Sequence, residues 1–547
     1  MPAFLRSLFL LGAFGLIGFG LFVGDDLTDA RWLTLLAGAL VLLVLCTRVS
    51  LPPAMAPFNR GLIRTTMLLA CVFILLSAQL VRIQVIQQEQ IYFRSEADAN
   101  GEVISNPRLY QQQLTVQRGQ ILDRNGVVLA DTTLQDGIYY RSWPVESAHS
   151  VTGYYSPNRY GMTGIEATYE QELSGQAGTN PIETTVRDLL GREQAGANVE
   201  LTIDADLQTL AYNSLGGNNG AIVVIDIQTG ETLVLASKPS VNPNTLFVVD
   251  DATAADAYWD TISTDEVNKP FVTRANLGVY TPGSTFKTVT AGIAINEGYA
   301  EPDTVYEDNG EITIDGRVLV ENNRPDNSRS EWTLREAVMW SLNVVMAQVG
   351  LQIGPETYWE YGPQLGFGEQ IPYDVPIAES QLANDQDFLN SQNALADTGF
   401  GQGEILMSPM HMAMVGAMWA NDGTMMEPIL VKQVTAPDGT VLFQAEPMVY
   451  KQCVEPETAQ AVESMMIDVI QNGSAQHGQW GGYTIGGKTG TAELGDGTTN
   501  SLFIGFIGDP EPRYAIAVVL EGNGGDLPSA VIMARDILVA TIERRDD

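Results

Sequence analysis

The sequence predicts an α/β protein of the α+β kind, in which an antiparallel sheet is flanked by helices and follows a small strand-rich pedestal and N-terminal membrane helices. Two observations lead to this prediction. Strand-like apolar runs lie near both ends of residues 199–547 with helical runs between them, so the two ends of this region are expected to complete one sheet. Three apolar segments precede residue 82, each near the length needed to cross a bilayer.

The apolar segments and the loops between them predict a membrane topology. The segments are Leu8 to Val23, Trp32 to Cys46 and Thr65 to Val81. The first connection is mainly acidic, whereas the second carries Arg48, Arg60 and Arg64. Because short cytoplasmic loops favour Lys and Arg, we expect a cytoplasmic N-terminus, three spans, and everything after Arg82 on the far side of the membrane.

Alternatives exist for two of these segments. A cleaved signal peptide would need a small-residue cleavage site after the first segment, and Gly24-Asp25-Asp26 does not provide one. The second segment is short, and a re-entrant or interfacial hairpin is the alternative for it. We therefore divide this part into two additional transmembrane segments with a cytoplasmic loop over residues 1–63 and a final transmembrane helix over residues 64–82.

Residues 83–198 are predicted to form a stalk and a pedestal. A Gln-rich amphipathic pattern from Ile83 to about Asn100 predicts a helix that continues out of the membrane. Two apolar strands around the turn sequence DRNG predict a hairpin within Gln117 to Ala130. A turn entering a short helix is predicted from Gly161 to Glu170, and a linker from Gly191 to Asn198.

Residues 199–547 carry the strands and helices of the larger domain. A helix is expected to begin within Leu201 to Leu210. Strands are predicted at Ala221 to Ile227, Thr232 to Ala236, Ser501 to Ile507 and Tyr514 to Leu520, and a closing helix at Ser529 to Ile542.

Charge and composition exclude several classes of function. A net charge of −37 and a pI near 4.2 argue against a general grip on nucleic acid, whose binding depends on Lys and Arg. Three cysteines, two of them within apolar segments, imply no disulfide framework. The histidines His149, His411 and His477 stand apart from one another, so neither a zinc site nor a Ser-His-Asp triad is expected. We predict no metal and no cofactor.

The sequence TPGSTFK, Thr281 to Lys287, places a serine at the start of an apolar helix that Gly298 ends. Ser284 and Lys287 then share one face of that helix. Desolvation favours the neutral amine of a lysine in an apolar site, which makes it a base for a nearby hydroxyl. The pattern predicts Ser284 as a nucleophile and Lys287 as its base, although a helix start with a solvated lysine is the alternative.

A second polar pair follows a helix that opens with a capping box, Thr333 to Glu336. Ser341 and Asn343 stand two residues apart between this helix and the next apolar run. A hydroxyl and a carboxamide at that spacing are able to face one cavity and to pass a proton or hold a peptide carbonyl.

A third motif lies in the strand-like stretch from Tyr483 to Glu493. Alternation places Lys488 and Gly490 on one face of the strand. Gly490 is expected to let a substrate backbone lie along an edge strand. Lys488 supplies positive charge, and the hydroxyls of Thr489 and Thr491 are predicted to hold a carboxylate. The backbone N–H groups of Thr491 and Ser284 would form an oxyanion hole.

The three motifs in this order, SxxK at Ser284, SxN at Ser341 and KTG at Lys488, resemble those of penicillin-binding proteins. The pedestal, with RG at Arg118, DRNG at Asp123 and VTGYY at Val151, resembles that of the class B group and most closely the short penicillin-binding protein A type. The resemblance covers residues 110 to 540. It departs from the family only in the two additional apolar segments, because members usually have a single anchor.

The resemblance implies a transpeptidase or serine β-lactamase-like domain with a five-stranded antiparallel sheet, anchored in the bacterial cytoplasmic membrane. It implies that Ser284 is acylated by a D-Ala-D-Ala stem peptide of peptidoglycan, that Lys287, Ser341, Asn343 and Lys488 are catalytic, and that Thr489, Gly490 and Thr491 bind the substrate. β-Lactams are the implied inhibitors and a membrane glycosyltransferase is the implied partner. The alternatives are a D,D-carboxypeptidase, which uses the same motifs with water as acceptor, and a catalytically silent scaffold or β-lactam sensor.

Overall fold

The computed structural model describes residues 3–23, 28–52, 54–87, 96–97, 103–104, 114–157, 159–177, 195–249, 251–493, 497–524 and 526–544. The described residues fall into two compact units. The first lies within Met1–Gln113 and Thr179–Arg192, and the second within Leu114–Gly178 and Glu193–Asp547.

The first unit contains the three apolar segments as helices. They are α1 (Ala3–Val23), α2 (Asp29–Cys46) and α3 (Pro57–Val81), and one π-helical turn, Arg82–Ile86, follows α3. By length and composition, three stretches are sufficient to cross a membrane: Phe4–Val23, Asp29–Cys46 and Pro57–Gln84. The three predicted apolar segments are therefore helical, and the second is a full helix of 18 residues.

Polar contacts join the start of α2 to the end of α3. Trp32 Nε1 donates to Gln79 Oε1 at 2.6 Å, and Arg82 pairs with Asp29 at 3.1 Å while its guanidinium lies over the Trp32 ring. Because these contacts join the first turn of one helix to the last turn of the other, α2 and α3 run antiparallel.

The predicted stalk helix is only partly present among the described residues. Two short strands, β1 (Glu96–Ala97) and β2 (Val103–Ile104), pair antiparallel. The prediction of a helix reaching Asn100 is therefore wrong at Glu96–Ala97, because backbone pairing with β2 holds that dipeptide extended. Residues 88–95 and 98–100 lie outside the described residues.

The second unit begins with the pedestal. Its elements are β3 (Ile121–Leu122), β4 (Val128–Gln135), β5 (Ile138–Ser142), a 3₁₀ turn (Glu146–Ala148), α4 (His149–Thr152), β6 (Tyr155–Ser156), β7 (Gly161–Met162), α5 (Gly164–Thr168), α6 (Glu170–Leu173) and β8 (Asn198–Leu201). The predicted hairpin is β3 and β4, whose turn closes through Gly126 N–H to Asp123 O at 3.1 Å. The predicted turn and short helix after Gly161 are also confirmed.

A buried carboxylate holds the pedestal together. Glu166 is fully buried and accepts from Arg118 at 2.7 Å and from Arg141 at 2.8 Å. Burial disfavours the Glu166 carboxylate, but the guanidinium groups of Arg141 and Arg118 outweigh it and hold the pKa of Glu166 below its ordinary value. Arg118 also lies over the Tyr155 ring at 4.0 Å. The arginine of the RG motif is thus a structural residue.

The first half of the larger domain carries a 3₁₀ turn at Gly283–Phe286 among its strands and helices. These are α7 (Ala205–Ser214), β9 (Gly220–Asp226), β10 (Thr232–Lys238), α8 (Pro243–Leu246), α9 (Thr253–Ser263), α10 (Arg274–Leu277), α11 (Lys287–Asn296), β11 (Val305–Glu307), β12 (Glu311–Ile314), β13 (Arg317–Val320) and β14 (Glu331–Thr333).

The second half is mainly helical before its last three strands. Its elements are α12 (Leu334–Trp340), α13 (Asn343–Gln364, interrupted at Gly354), a 3₁₀ turn (Gln386–Asn390), α14 (Gln392–Gly399), α15 (Pro409–Trp419), β15 (Thr424–Met426), β16 (Val431–Thr435), β17 (Val441–Gln444), β18 (Val449–Gln452), α16 (Pro456–Gln471), a 3₁₀ turn (Gln476–Gly478), β19 (Thr484–Glu493), β20 (Thr499–Gly508), β21 (Pro512–Leu520) and α17 (Leu527–Glu543).

A five-stranded antiparallel sheet forms the centre of this domain. Its strand order is β10-β9-β21-β20-β19. The strands from the two ends of the domain meet where β21 pairs with β9, so the predicted sheet and its two-ended construction are confirmed. Helix α15 is buried along its whole length against one face of the sheet, and α17 packs on β20 and β21. β19 is an edge strand.

A second sheet joins pedestal strands to strands from much later in the chain. Its order is β17-β16-β8-β3-β4-β5. The linker predicted from Gly191 to Asn198 is therefore wrong at its end, because Asn198 pairs with Thr435 within this sheet and Ala195 bridges to Gln117. Residues 191–194 lie outside the described residues.

Candidate active site

Ser284 lies in the 3₁₀ turn Gly283–Phe286, which runs directly into α11. The sequence pattern predicted the first turn of an α-helix, whereas the observed turn has three residues per turn. That geometry aligns side chains three apart, so Ser284 and Lys287 still share one face. Ser284 is half-buried, and among the described residues its Oγ has no hydrogen-bond partner. The hydroxyl is thus accessible while its turn is anchored in the core.

Lys287 is fully buried at the start of α11. Its Nζ donates to Ser341 O at 2.6 Å, to Ser341 Oγ at 3.0 Å and to Asn343 Oδ1 at 2.7 Å. Burial lowers the pKa of Lys287 well below its ordinary value, the Lys488 ammonium lowers it further, and the Glu321 carboxylate opposes both effects. The structure therefore brings the first and second predicted motifs into direct contact.

Ser341 lies between two helices in a left-handed conformation. The capping box predicted at Thr333 and Glu336 is present and opens α12, which ends at Trp340. Ser341 follows with φ 65°, and Asn343 begins α13. Residues other than glycine seldom adopt this left-handed backbone conformation. Here the sharp turn presents both the carbonyl and the hydroxyl of Ser341 to Lys287.

Lys488 reaches the same hydroxyl from the edge strand β19. It is fully buried, and its Nζ donates to Ser341 Oγ at 3.0 Å and to Thr489 O at 3.2 Å. Burial lowers the pKa of Lys488 to about 7. All three motifs therefore converge on one hydroxyl group.

Glycines explain how the turn of Ser284 fits against β19. A Cβ at Gly283, where φ is 54°, would lie 2.4 Å from Thr491 O. A Cβ at Gly490 would lie 2.6 Å from Pro282 O and 2.9 Å from Thr285 Cγ2. The sequence assigned Gly490 to the approach of a substrate backbone. In the structure, the missing Cβ makes room for the turn that carries Ser284.

The threonines of the third motif lie on β19 as predicted. Thr489 is buried and Thr491 is half-buried. Neither hydroxyl has a hydrogen-bond partner among the described residues. Thr491 N lies 3.1 Å from the position of a Cβ on Gly283, so the backbone segments of the predicted oxyanion hole adjoin.

Three residues at the site were missed from the sequence. Glu321, exposed by only 6%, accepts from the backbone N–H groups of Val344 and Asn323. Asn323 Nδ2 donates to Ser341 O at 2.9 Å, and Gln402 Nε2 donates to Thr491 O at 3.4 Å. No local pattern singles these residues out, because their role depends on contacts with segments distant in sequence.

Comparison with known proteins decides the family. The model of the penicillin binding protein transpeptidase domain matches residues 220–539, more than half of the chain. The chain belongs to the penicillin-binding protein transpeptidase family. The model of the penicillin binding protein A dimerisation domain matches residues 118–199. The resemblance to the penicillin-binding protein A type is thereby confirmed.

Relatives of this penicillin-binding protein carry related names. The peptidoglycan D,D-transpeptidase PbpA of Mycolicibacterium smegmatis is 31% identical over 441 residues, which cover 78% of this chain and 88% of that protein. Penicillin-binding protein 3 of Bacillus subtilis is 32% identical over 391 residues, or 68% of this chain and 55% of that protein. This chain thus matches nearly the full length of the mycobacterial protein and just over half of the Bacillus protein.

Solved structures confirm the fold class. Penicillin-binding protein A of M. tuberculosis, as its imipenem acyl-enzyme complex, superposes with a TM-score of 0.73 at 28% identity, covering 79% of this chain and 99% of that one. The D,D-transpeptidase domain of a peptidoglycan glycosyltransferase from Eggerthella lenta gives a TM-score of 0.69 at 30% identity, covering 79% and 99%.

Proposed function

We propose that this penicillin-binding protein is a peptidoglycan D,D-transpeptidase that works through an acyl-enzyme on Ser284. One observation carries the proposal: Lys287 and Lys488, from two different motifs, donate to the single hydroxyl of Ser341 beside the turn of Ser284. A buried lysine with a depressed pKa is a general base at neutral pH. The names of the mycobacterial relatives support the same activity.

In the acylation step, Ser284 Oγ attacks the carbonyl of the penultimate D-Ala, and neutral Lys287 takes the hydroxyl proton. The proton passes by way of Ser341 to the leaving nitrogen, the C–N bond breaks, and terminal D-Ala departs as the free amine. An acceptor amine from a neighbouring stem peptide then attacks the ester. The new C–N bond forms, the ester C–O bond breaks, and the proton lost by the amine passes through the same groups to Ser284 Oγ.

Binding groups surround this reaction. We assign the oxyanion hole to the backbone N–H groups of Ser284 and Thr491, whose segments adjoin at Gly283. Lys488 and the hydroxyls of Thr489 and Thr491 would hold the terminal carboxylate of the stem peptide. Asn343, bonded to Lys287, would orient the peptide. Gly490 permits this assembly by allowing the turn of Ser284 to approach β19.

β-Lactams would acylate Ser284 as substrate analogues, since the mycobacterial penicillin-binding protein A forms acyl-enzymes with imipenem and penicillin G. Cross-linking also requires newly polymerised glycan strands, so we propose a membrane glycosyltransferase as partner. We further propose a place in the bacterial cytoplasmic membrane with a cytoplasmic N-terminus and three spans. Two additional spans would lie within residues 1–63, the last at 64–82, the stalk and pedestal at 83–198 and the transpeptidase domain at 199–547.

The test uses the full-length protein in detergent micelles. A fluorescent penicillin is incubated with the wild type and with Ser284→Ala, and turnover of a D-Ala-D-Ala donor peptide is followed with and without an acceptor amine. We expect labelling of the wild type, none of Ser284→Ala at an unchanged unfolding temperature, and capture of the amine in preference to water.

Each of the other outcomes would indicate a different function or a different nucleophile. Hydrolysis without amine capture would make the protein a D,D-carboxypeptidase. Labelling that survives in Ser284→Ala would place the nucleophile elsewhere. A folded wild type that is not labelled would be a scaffold.

A further inference from the structure

The loop between β13 and β14 supplies a carboxylate to the site from outside the three motifs. Glu321 begins this loop and is exposed by only 6%. Its two oxygens accept from backbone N–H groups, one from Asn323 and one from Val344, each at 2.9 Å. Val344 lies in the first turn of α13, directly after Asn343. The carboxylate therefore ties the loop to the helix that carries the second motif.

Asn323 extends this connection to Ser341. Its Nδ2 donates at 2.9 Å to Ser341 O, the same carbonyl that accepts from Lys287 Nζ at 2.6 Å. Two donors thus hold the carbonyl of a residue whose left-handed backbone is otherwise unfavourable. Because the carbonyl and the side chain of Ser341 share one Cα, holding the carbonyl also fixes the Cα from which the hydroxyl reaches the two lysines.

Charge gives Glu321 a second role. The buried amines of Lys287 and Lys488 meet at Ser341 Oγ, and the groups that act on Lys287 are Lys488 from β19 and Glu321 from this loop. Two ammonium groups at one buried hydroxyl repel each other, and burial favours the neutral form of both. The Glu321 carboxylate, which does not itself contact either amine, offsets part of that repulsion.

We propose that Glu321 is a positioning residue for acylation: with Asn323 it holds Ser341 against Lys287, and its negative charge offsets part of the repulsion between Lys287 and Lys488. This inference rests on the proposed role of Lys287 in acylation. Glu321 touches neither substrate nor reacting atoms and acts through Ser341, Val344 and the charge of Lys287.

Full-length variants in detergent separate the two parts of the proposal. Glu321→Gln removes the charge, Glu321→Asp keeps the charge but shortens the reach, and Asn323→Ala removes only the bond to Ser341. Glu311→Gln is the matched control, because Glu311 is an exposed glutamate in the hairpin that precedes the same loop. The rate of acylation by a fluorescent penicillin is measured from pH 5 to pH 9.

We expect Glu321→Gln to move the acidic limb of the rate profile to lower pH by about one pH unit, because Lys287 loses the charge that favours its ammonium form. Its maximal rate should also fall, since the amide NH₂ group of the substituted side chain would face one of the two backbone N–H donors. Asn323→Ala and Glu321→Asp should lower the maximal rate with the limb unmoved. Glu311→Gln should match the wild type.

A second readout does not depend on catalysis. Unfolding exposes a lysine of ordinary pKa, so unfolding takes up a proton wherever the buried amine is neutral, and lower pH then favours unfolding. In Glu321→Gln the buried amine of Lys287 should stay neutral to a lower pH than in the wild type. The unfolding midpoint of Glu321→Gln should therefore fall below that of the wild type by an amount that grows as the pH is lowered from 9 to 6.

Two results would overturn the role of the charge. One is a pH–rate profile of Glu321→Gln whose acidic limb lies at the wild-type pH. The other is a difference in unfolding midpoint between Glu321→Gln and the wild type that is the same at every pH. A limb that moves equally in Glu321→Asp would also overturn it, because the carboxylate is still present there. A wild type that is never acylated would refute the proposed function instead, and the unfolding midpoints would still decide whether the charge of Glu321 acts on Lys287.

Discussion

Lys287 and Lys488 place their Nζ atoms at the same distance, 3.0 Å, from one atom, Oγ of Ser341. One lysine comes from the helix that follows the nucleophile and the other from the edge strand of the central sheet. Two buried amines at a single hydroxyl cannot both hold their full charge without cost. The arrangement therefore keeps a base available near neutral pH, and the first two predictions below follow from it.

Replacement of Lys287 by Met should abolish most of the acylation. Methionine keeps the volume of the buried side chain but removes the base, so the acylation rate should fall by about 10²–10⁴-fold. Stopped-flow measurement with a fluorescent penicillin checks this. Lys432→Met is the control, because Lys432 is 41% exposed and pairs with Glu200 far from the motifs. A Lys287→Met variant that is acylated at the wild-type rate would remove Lys287 from the mechanism.

Acylation should become faster as the pH rises through neutrality. Burial lowers the pKa of Lys287 well below its ordinary value and the pKa of Lys488 to about 7. The base is the neutral amine, so protonation at lower pH removes it and the rate falls. The second-order rate constant for penicillin acylation, measured from pH 5 to pH 9, provides the test. A flat profile across that range would show that no group with a depressed pKa limits the reaction.

A methyl group at Gly283 should disturb the turn of the nucleophile. In Gly283→Ala the new Cβ would meet Thr491 O at 2.4 Å in a backbone with φ 54°. We expect an acylation rate about a hundredfold lower, because Ser284 is displaced, and a loss of stability of about 1–3 kcal/mol from the left-handed backbone and the clash.

Gly298→Ala is the matched control for this change. Gly298 also has a positive φ, of 68°, but no atom lies within 4 Å of its added Cβ. It should therefore lose only the stability that a left-handed backbone costs, with acylation unchanged. Equal acylation by the two variants would mean that contact with β19 does not position Ser284.

Removal of the Glu166 carboxylate should destabilise the pedestal without touching the site. In Glu166→Ala the buried guanidinium groups of Arg141 and Arg118 both lose their ion pair with Glu166. The free energy of unfolding should fall by about 3–5 kcal/mol. Because the pKa of Glu166 is held below its ordinary value, its contribution is present at neutral pH and is lost as the pH falls through the folded pKa.

Thermal unfolding of Glu166→Ala at pH 7 and at acidic pH measures both effects. The partly exposed pair of Glu200 and Lys432 supplies the control, since Glu200→Gln should change stability by about 1 kcal/mol or less. A Glu166→Ala variant as stable as Glu200→Gln would show that the arginines find other partners.

Reporter fusions should reveal the proposed topology. A reporter that is active only outside the cytoplasm should be active when fused after Arg82 and inactive when fused at Ala54. The reason is the excess of arginine in the loop around Ala54 and the acidic character of the first connection. Activity at both positions or the reverse pattern would refute three spans with a cytoplasmic N-terminus.

Short-range patterns in the sequence were enough to predict several features of this protein. Residues 501–507 and 514–520 were predicted as strands because apolar runs flank a turn, and the capping box at Thr333 was predicted because its two hydrogen bonds join residues three apart. The motif residues were recognised by spacing within a few positions. Such features depend on backbone preferences and hydrogen bonds within a few residues, and not on contacts with distant segments.

The way in which these elements meet depends on packing between segments that are distant in the sequence. Lys287 and Lys488 are 201 residues apart in the chain, and their convergence on Ser341 arises from the packing of α11, α12 and β19. The carboxylate of Glu321, the approach of the Ser284 turn to Gly490 and the place of Asn198 in a mixed sheet likewise depend on neighbours remote in sequence. Residue type and spacing specify what a side chain is able to do, whereas the packing of distant segments decides which atoms lie within bonding distance.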